Sequence, residues 1–360
     1  MQTSFLARRG PGLYSGGHVS TAAKMPAPPG AAPDMLTDLL FTVAGLVILV
    51  FAGEATIRGA VGLARLLSVS PAMIGLTVVA FGTSAPELVV SLQASMDGAP
   101  DIAVGNVVGS NVANILLILG AGALIAPLIC DPGVMRRDGT AMMAALALLC
   151  VLGVSGVIMA WQGALMILVL VGYIVGSYYL DRRNGTAVAE LHAREAEETA
   201  GVPASTVVVL LYLAVGLIGL VGGAKLLVDG AVGVARAAGV SESVIGLSLV
   251  AIGTSLPELA ATVVAAWRRH TDVAVANVLG SNLFNVLLIL GAASFVAPLP
   301  VAPDIAAVDL WVMLGAGLLL IPIMVTGWHI SRAKGILLLA LYVAYIASMA
   351  LGYGRPIDTV

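Results

Sequence analysis

The chain repeats itself. Residues 101–120 (DIAVGNVVGSNVANILLILG) match 272–291 (DVAVANVLGSNLFNVLLILG) at 14 of 20 positions, and 75–92 match 246–263 at 10 of 18, both at an offset of 171 residues. The likeness reaches earlier, where "RGAVGLARLLSVSPAMIGL" faces "DGAVGVARAAGVSESVIGL". A gapless likeness at one fixed offset marks an internal duplication. Apolar runs fall at 36–66, 72–97, 101–127, 139–160, 162–180, 205–236, 243–267, 273–298, 306–327 and 334–353. Each approaches or exceeds the roughly 20 helical residues that a bilayer requires. The chain is 59% hydrophobic and 10% charged, against about 25% charge in ordinary soluble domains, so it is an integral membrane protein. Helices are the economical spanning element, because each satisfies its own backbone in lipid.

Five spans per copy is an odd number, so the second copy enters the membrane from the opposite side. The expected fold is an all-α membrane protein with ten transmembrane helices in two inverted five-helix repeats. That is a transporter architecture, with binding sites near the midplane between the halves. The repeats occupy 36–181 and 205–353, joined by a cytoplasmic linker at 182–204, with a short tail at 354–360. Residues 1–34, rich in Gly, Pro, Ser and Ala, lack the apolar centre of a secretory signal. They read as a disordered tail or an over-long gene start, with the true beginning near Met35.

Loop charges orient the chain. With the first helix starting outside, the inner loops hold Arg65, Arg136, Arg137, Arg182, Arg183, Arg194, Arg268, Arg269, Arg332 and Lys334, and the outer side holds Arg236 and Arg355. Arg8, Arg9 and Lys24 of the tail oppose this bias if the tail is present, without reversing it. The excess of cations inside places both termini on the outer, periplasmic side of the cell (inner) membrane. The linker, with Glu190, Glu195, Glu197 and Glu198, reads as solvated chain, too short for a sensor domain of about 50 residues or more. Cys130 and Cys150, the two cysteines, read as small apolar fillers. The net charge of −3 gives no basis for a nucleic-acid partner.

The most unusual stretch is "AFGTSAPELVVS" (80–91), echoed by "AIGTSLPELAAT" (251–262). Pro86 has no N–H, so the Gly82 carbonyl loses its helical partner, and Gly82 loosens the turn further. A broken helix is expected, with carbonyls near Ala80–Thr83 free to point at a ligand. Thr83, Glu87 and Ser91 then share a face at i, i+4 and i+8, as do Thr254, Glu258 and Thr262 around Gly253 and Pro257. On the following helices, Asn106, Ser110 and Asn114, and likewise Asn277, Ser281 and Asn285, stand four residues apart. Two carboxylates, several neutral oxygens and spare carbonyls suit a hard cation such as Na⁺ or Ca²⁺, and not zinc or copper.

The blander reading is that Ser, Thr and Asn simply join membrane helices, and for any one of them it competes evenly. It fails for Glu87 and Glu258. A carboxylate at mid-membrane costs at least about 2.5 kcal/mol, and packing gives no reason to place one there twice. Two other charged pairs, Glu54 with Arg58 and Lys225 with Asp229, lie i, i+4 and carry exchanged signs in the two copies. Each neutralises itself within its helix; they read as structural ion pairs, with a gating contact as the alternative.

The paired blocks GTSAPE and GTSLPE, each followed by GNVVGSNVAN or ANVLGSNLFN, resemble the two alpha-repeats of the calcium/cation antiporter superfamily, in its bacterial and archaeal sodium/calcium exchanger branch. The resemblance covers the chain from residue 36 onward. It implies ten helices in two inverted halves, with ion sites formed by helices 2, 3, 7 and 8. It implies Glu87 and Glu258 as central ligands for Ca²⁺ and Na⁺, backbone or hydroxyl oxygens from Thr83, Ser84, Thr254 and Ser255, and carbonyls from Ala80 and Ala251. It further implies hydroxyls from Ser110 and Ser281, with Asn114 beside the central site. Asn285 departs from members that place Asp there. The resemblance also implies three Na⁺ exchanged for one Ca²⁺, K⁺ co-transport where that Asp is present, and sliding of helices 1 and 6 over a fixed bundle.

The expected activity is therefore Ca²⁺/Na⁺ antiport by alternating access, with no cofactor, the transported cations and the lipid bilayer as partners, and a monomer sufficing. A Ca²⁺/H⁺ antiporter using the same glutamates is the alternative, and the neutral oxygens favour Na⁺ only modestly. A passive channel fits broken helices in inverted repeats less well. An intramembrane enzyme with Ser84 or Ser255 as nucleophile needs a nearby base, and His18, His192, His270 and His329 lie in the tail, loops or helix ends. The chain is not expected to be an enzyme.

Overall fold

A computed structural model describes residues 35–197, 205–238 and 253–351; for 183–197 and residue 350 it describes the backbone alone. The helices are α1 (Met35–Leu67), α2 (Pro71–Thr83), α3 (Ala85–Met96), α4 (Pro100–Ile125), α5 (Pro132–Val154), α6 (Ala160–Glu197), α7 (Thr206–Ala237), α8 (Leu256–Trp267), α9 (Thr271–Val296), α10 (Ile305–Trp328) and α11 (Arg332–Ala350). Eight are long and apolar enough to cross a membrane, and α2 with α3 makes a ninth, bent span. The seventh expected span is represented by α8; its first part, 243–252, lies outside the described residues, as do 1–34, 198–204 and 352–360.

The ends of the helices carry the signals that fix them. Pro71 and Pro132 open α2 and α5, where the missing N–H costs nothing. Ser70 accepts from the Met73 N–H, and Asp131 from those of Gly133 and Val134. The fourth span begins earlier than the apolar run, at Pro132 and not near 139. Arg136, Arg137 and Asp138 therefore lie in its first turns and not in a loop. The helix tolerates this because Asp138, 1% exposed, pairs with Arg137 at 2.5 Å and accepts from the Tyr173 hydroxyl at 2.5 Å. The repeat copy is built alike: Tyr345 donates to Asp309 at 3.0 Å. The fifth helix also continues past residue 181, to Glu197.

Short strands reveal the inversion. Strand β1 (Leu128–Ile129) pairs antiparallel with β4 (His329–Ile330), and β2 (Val157–Ile158) pairs with β3 (Leu299–Pro300). β1 precedes α5 and β2 follows it, so the two pairs lie at opposite ends of a spanning helix. β1 and β3 are repeat equivalents, 128 + 171 = 299. Equivalent parts of the two halves thus face opposite sides of the membrane. Gly156 and Gly327, again 171 apart, both take positive φ beside these strands, at 86° and 77°.

Around this frame, α9 is almost wholly enclosed, while α1, α6 and α11 turn most of their surface outward. Their outer residues are apolar, among them Phe51, Leu168 and Val343, as lipid demands. The long helices α1 and α7 pack along each other at backbone contact. A Cβ placed on Gly45 would stand 2.4 Å from the Leu227 nitrogen, and one on Gly216 2.6 Å from the Thr56 nitrogen. Small residues let two membrane helices approach this closely. Cys130 and Cys150 are both buried and unpaired with each other. Burial pushes the Cys130 thiol up to about 12, so it stays protonated and inert.

Candidate functional site

The break expected in the GTSAPE stretch lies at Ser84. There α2 ends and α3 begins at a bend of 43°, with Ser84 at φ −79°, ψ 7°. Its copy Ser255, before α8, has nearly the same backbone angles, φ −89° and ψ 6°. Pro86 and Pro257 sit at the starts of α3 and α8. The break at Ser84 therefore leaves the N-terminal end of α3 inside the protein, and α8 begins in the same way after Ser255. Each end carries its glutamate in its first turn.

Glu87 and Glu258 are both fully buried. They are bonded reciprocally across the repeat boundary. Ser255 Oγ donates to Glu87 Oε1 at 2.9 Å, and Ser84 Oγ donates to Glu258 Oε1 at 2.9 Å. Thr254 approaches Glu87, while Thr83 and Ser281 approach Glu258. Ser110 Oγ lies 3.5 Å from Ser255 Oγ. One site is thus assembled from both halves, and neither half can complete it alone.

The remaining polar groups form two matched layers. Asn106 donates to Ser91 Oγ at 3.0 Å, and its copy Asn277 donates to Thr262 Oγ1 at 3.2 Å. These amides join helices, as the blander reading of the sequence has it. Others do not. Glu87 Oε2, Glu258 Oε2, Ser281 Oγ, Asn285 Oδ1 and both polar atoms of Asn114 are buried and have no hydrogen-bond partner. Unpartnered buried polar atoms are rare in native proteins and call for an explanation. Here they gather on α3, α4, α8 and α9, around the two carboxylates. Among the described residues, two further such atoms are Asn282 Oδ1, also on α9, and Asp38 Oδ2, on α1.

Of the twelve residues singled out in the sequence, Glu87, Glu258, Thr83, Ser84, Ser255, Ser110, Ser281, Asn114 and Asn285 are buried on these broken or adjoining helices, and Thr254 is partly buried. Ala80 is buried too, but its carbonyl accepts from the Ser84 N–H at 3.0 Å and from Thr83 Oγ1 at 3.3 Å. It is not the free group that the broken turn suggests. Ala251 lies outside the described residues. Two residues went unnoticed. Asn111 accepts from Asn285 Nδ2 at 3.0 Å, and Asn282, its copy, donates to the Val278 carbonyl while its Oδ1 stays unpartnered. Their signal was the doubled "GSN" itself, one step off the i, i+4 face.

No group of three or more His, Cys, Asp or Glu side chains with metal-binding geometry occurs among the described residues. Whatever enters this site meets two carboxylates and neutral oxygens.

The family model described as "Sodium/calcium exchanger protein" matches residues 37–179 and again 208–351, once per half. The chain belongs to the sodium/calcium exchanger family. It is 33% identical over 343 residues to the sodium/calcium exchanger MaX1 of Methanosarcina acetivorans, a likeness covering 86% of this chain and 97% of that protein. It is 32% identical over 323 residues to the inner membrane protein YrbG of Escherichia coli, covering 88% and 97%. The fold matches the solved structure of the sodium–calcium exchanger NCX_Mj soaked with zero Na⁺ and Ca²⁺, with a TM-score of 0.75, 33% identity, and coverage of 88% of this chain and 99% of that one. The protein is therefore a multi-pass membrane antiporter of the exchanger class and not an enzyme.

Proposed function

We propose that this exchanger moves Ca²⁺ in exchange for Na⁺, by alternating access to one site built on Glu87 and Glu258. The observation that carries the reading is the reciprocal pair of serine-capped, fully buried carboxylates, each with one oxygen left unpartnered. Two carboxylates supply a fixed charge of about −2 when ionised, which one Ca²⁺ neutralises. The unpartnered hydroxyl and amide oxygens of Ser281, Asn114 and Asn285 extend the ligand set that hard cations prefer. Thr83, Ser84, Thr254, Ser255 and Ser110 would complete it, with the Ala251 carbonyl. Three Na⁺ against one Ca²⁺ leaves the sodium-loaded site near +1. The exchange is then electrogenic, at about 2.3 kcal/mol per charge per 100 mV. Asn285 keeps an oxygen without a third carboxylate, so K⁺ is not required.

The transport unit comprises the repeats at 36–181 and 205–353 in the cell (inner) membrane, with both termini outside and a monomer sufficing. The same unpartnered carboxylate oxygens favour one rival, Ca²⁺/H⁺ exchange, because each Oε2 is a place for a proton. Purified protein in sealed vesicles separates the two. Labelled Ca²⁺ uptake is expected under an outward Na⁺ gradient, with charge movement and without K⁺. Uptake under an outward proton gradient alone would sink the Na⁺ reading.

A further inference from the structure

Beyond the ion site, the two halves carry a second, charged relationship. Glu54 on α1 bonds Arg58 at 2.6 Å within its own helix and also pairs with Arg268, in the turn between α8 and α9. The residues 171 positions away are Lys225 for Glu54 and Asp229 for Arg58, and Asp97 stands in the first half where Arg268 stands in the second. All three signs are exchanged. A cluster of one acid and two bases has become one base and two acids, so each copy remains able to attract itself. Unconstrained surface charges have no reason to invert together.

The two clusters differ in this structure. Around Glu54, α1 packs along α8, and a Cβ on Gly53 would touch the Val264 side chain. The equivalent packing of α7 along α3 is not formed to any comparable extent. Lys225 bonds Asp229 at 2.8 Å, and their side chains are 76% and 52% exposed. Asp97 instead accepts from Gln93 Nε2 at 2.9 and 3.0 Å. A lysine so exposed on a spanning helix is costly in lipid and at ease in a water-filled mouth. One half is therefore latched and the other open.

We propose that Glu54–Arg268 and Lys225–Asp97 are alternating latches, the first closing one face of the membrane and the second closing the other. This rests on the alternating-access reading of the site. When α1 and α7 move together across the bundle, Glu54 leaves Arg268 and Lys225 reaches Asp97. Each outer helix then trades its bond to a bundle turn for the i, i+4 partner it already carries, Arg58 or Asp229. The latch charges of the outer helices, Glu54 and Lys225, thus keep a partner in either state. With the sequence-derived orientation, the turn at 268–270 lies inside, so the present structure is closed toward the cytoplasm.

The test uses the full chain in vesicles. Two double-cysteine variants, Glu54→Cys with Arg268→Cys and Lys225→Cys with Asp97→Cys, are treated with a short bifunctional thiol reagent. Both pairs are expected to cross-link, and each link to stop transport until it is reduced. Lys225→Gln should raise the yield at 54/268, and Glu54→Gln the yield at 225/97, each about two- to fivefold, the scale of a partly exposed ion pair. In a second series, Asp97→Lys should slow exchange and added Lys225→Asp should restore it. Failure of the 225/97 pair to link, or linking of both pairs in one molecule of a variant carrying all four cysteines, would overturn the latches, as would absence of rescue. Wild-type Ca²⁺ flux in the same vesicles keeps the readings apart. Links without Na⁺-driven flux would count against the proposed exchange and leave the latches standing.

Discussion

The first and second halves of the molecule agree closely at the candidate site and disagree around it. Ser84 and Ser255 have nearly the same backbone angles, and each donates at 2.9 Å to the other half's glutamate. Asn106 with Ser91 and Asn277 with Thr262 repeat one contact twice. Farther out, Glu54 reaches Arg268 while Lys225 and Asp97 stay apart with other partners. The lesson is physical. A site reached alternately from two sides must present the same chemistry to both, so its ligands are duplicated. On the proposed alternating access, the contacts that close the two sides would differ at any moment, and their symmetry would be broken.

The largest expected effect tests the agreement at the site. Glu87→Gln and Glu258→Gln remove the same charge from equivalent places, and each should lower Ca²⁺ flux at least about 100-fold, as when one member of a buried charged set is removed. Near-normal flux from one of them, in correctly inserted protein, would show that the halves contribute unequally. Next in size, Ser84→Ala and Ser255→Ala each remove one hydrogen bond to a carboxylate, worth about 1.5–3 kcal/mol. Both should weaken exchange about tenfold, and a tenfold gap between the two would break the equivalence. The smallest effect sits in the turns that follow the broken helices. Gly98 takes φ 81° easily, but its copy Arg269 is held at φ 65°, at a cost of about 1 kcal/mol for a residue with a Cβ. Arg269→Gly should raise the unfolding temperature in detergent by about 2 °C, and Gly98→Ala should lower it.

Most of the fold was legible because a membrane protein writes its helices as apolar runs, and because the chain states its architecture twice. The bend at Ser84 followed from Pro86, and the start of α8 after Ser255 from Pro257, because the effect of a proline is local. What escaped were pairings between distant residues. Asp138 stands at the edge of its apolar run and Asp309 inside the run at 306–327, and neither announces its tyrosine partner, 35 and 36 residues farther on. Glu54 looked self-neutralised by Arg58, and its second partner is 214 residues away. The strands β1 to β4 were too short, at two residues each, to leave any periodic signal. Ala80 was misjudged for the opposite reason. Its carbonyl was expected to be free, and the turn closed on it locally through Ser84 and Thr83.

The central claim is that the two halves give one carboxylate each to a single shared site. Calorimetric titration of the purified protein with Ca²⁺, with and without Na⁺, tests it most directly. The expected result is one Ca²⁺ per chain, displaced cooperatively by Na⁺, with binding lost in Glu87→Gln and in Glu258→Gln alike. Full-affinity binding of one Ca²⁺ in either variant, or of two in the wild type, would contradict it.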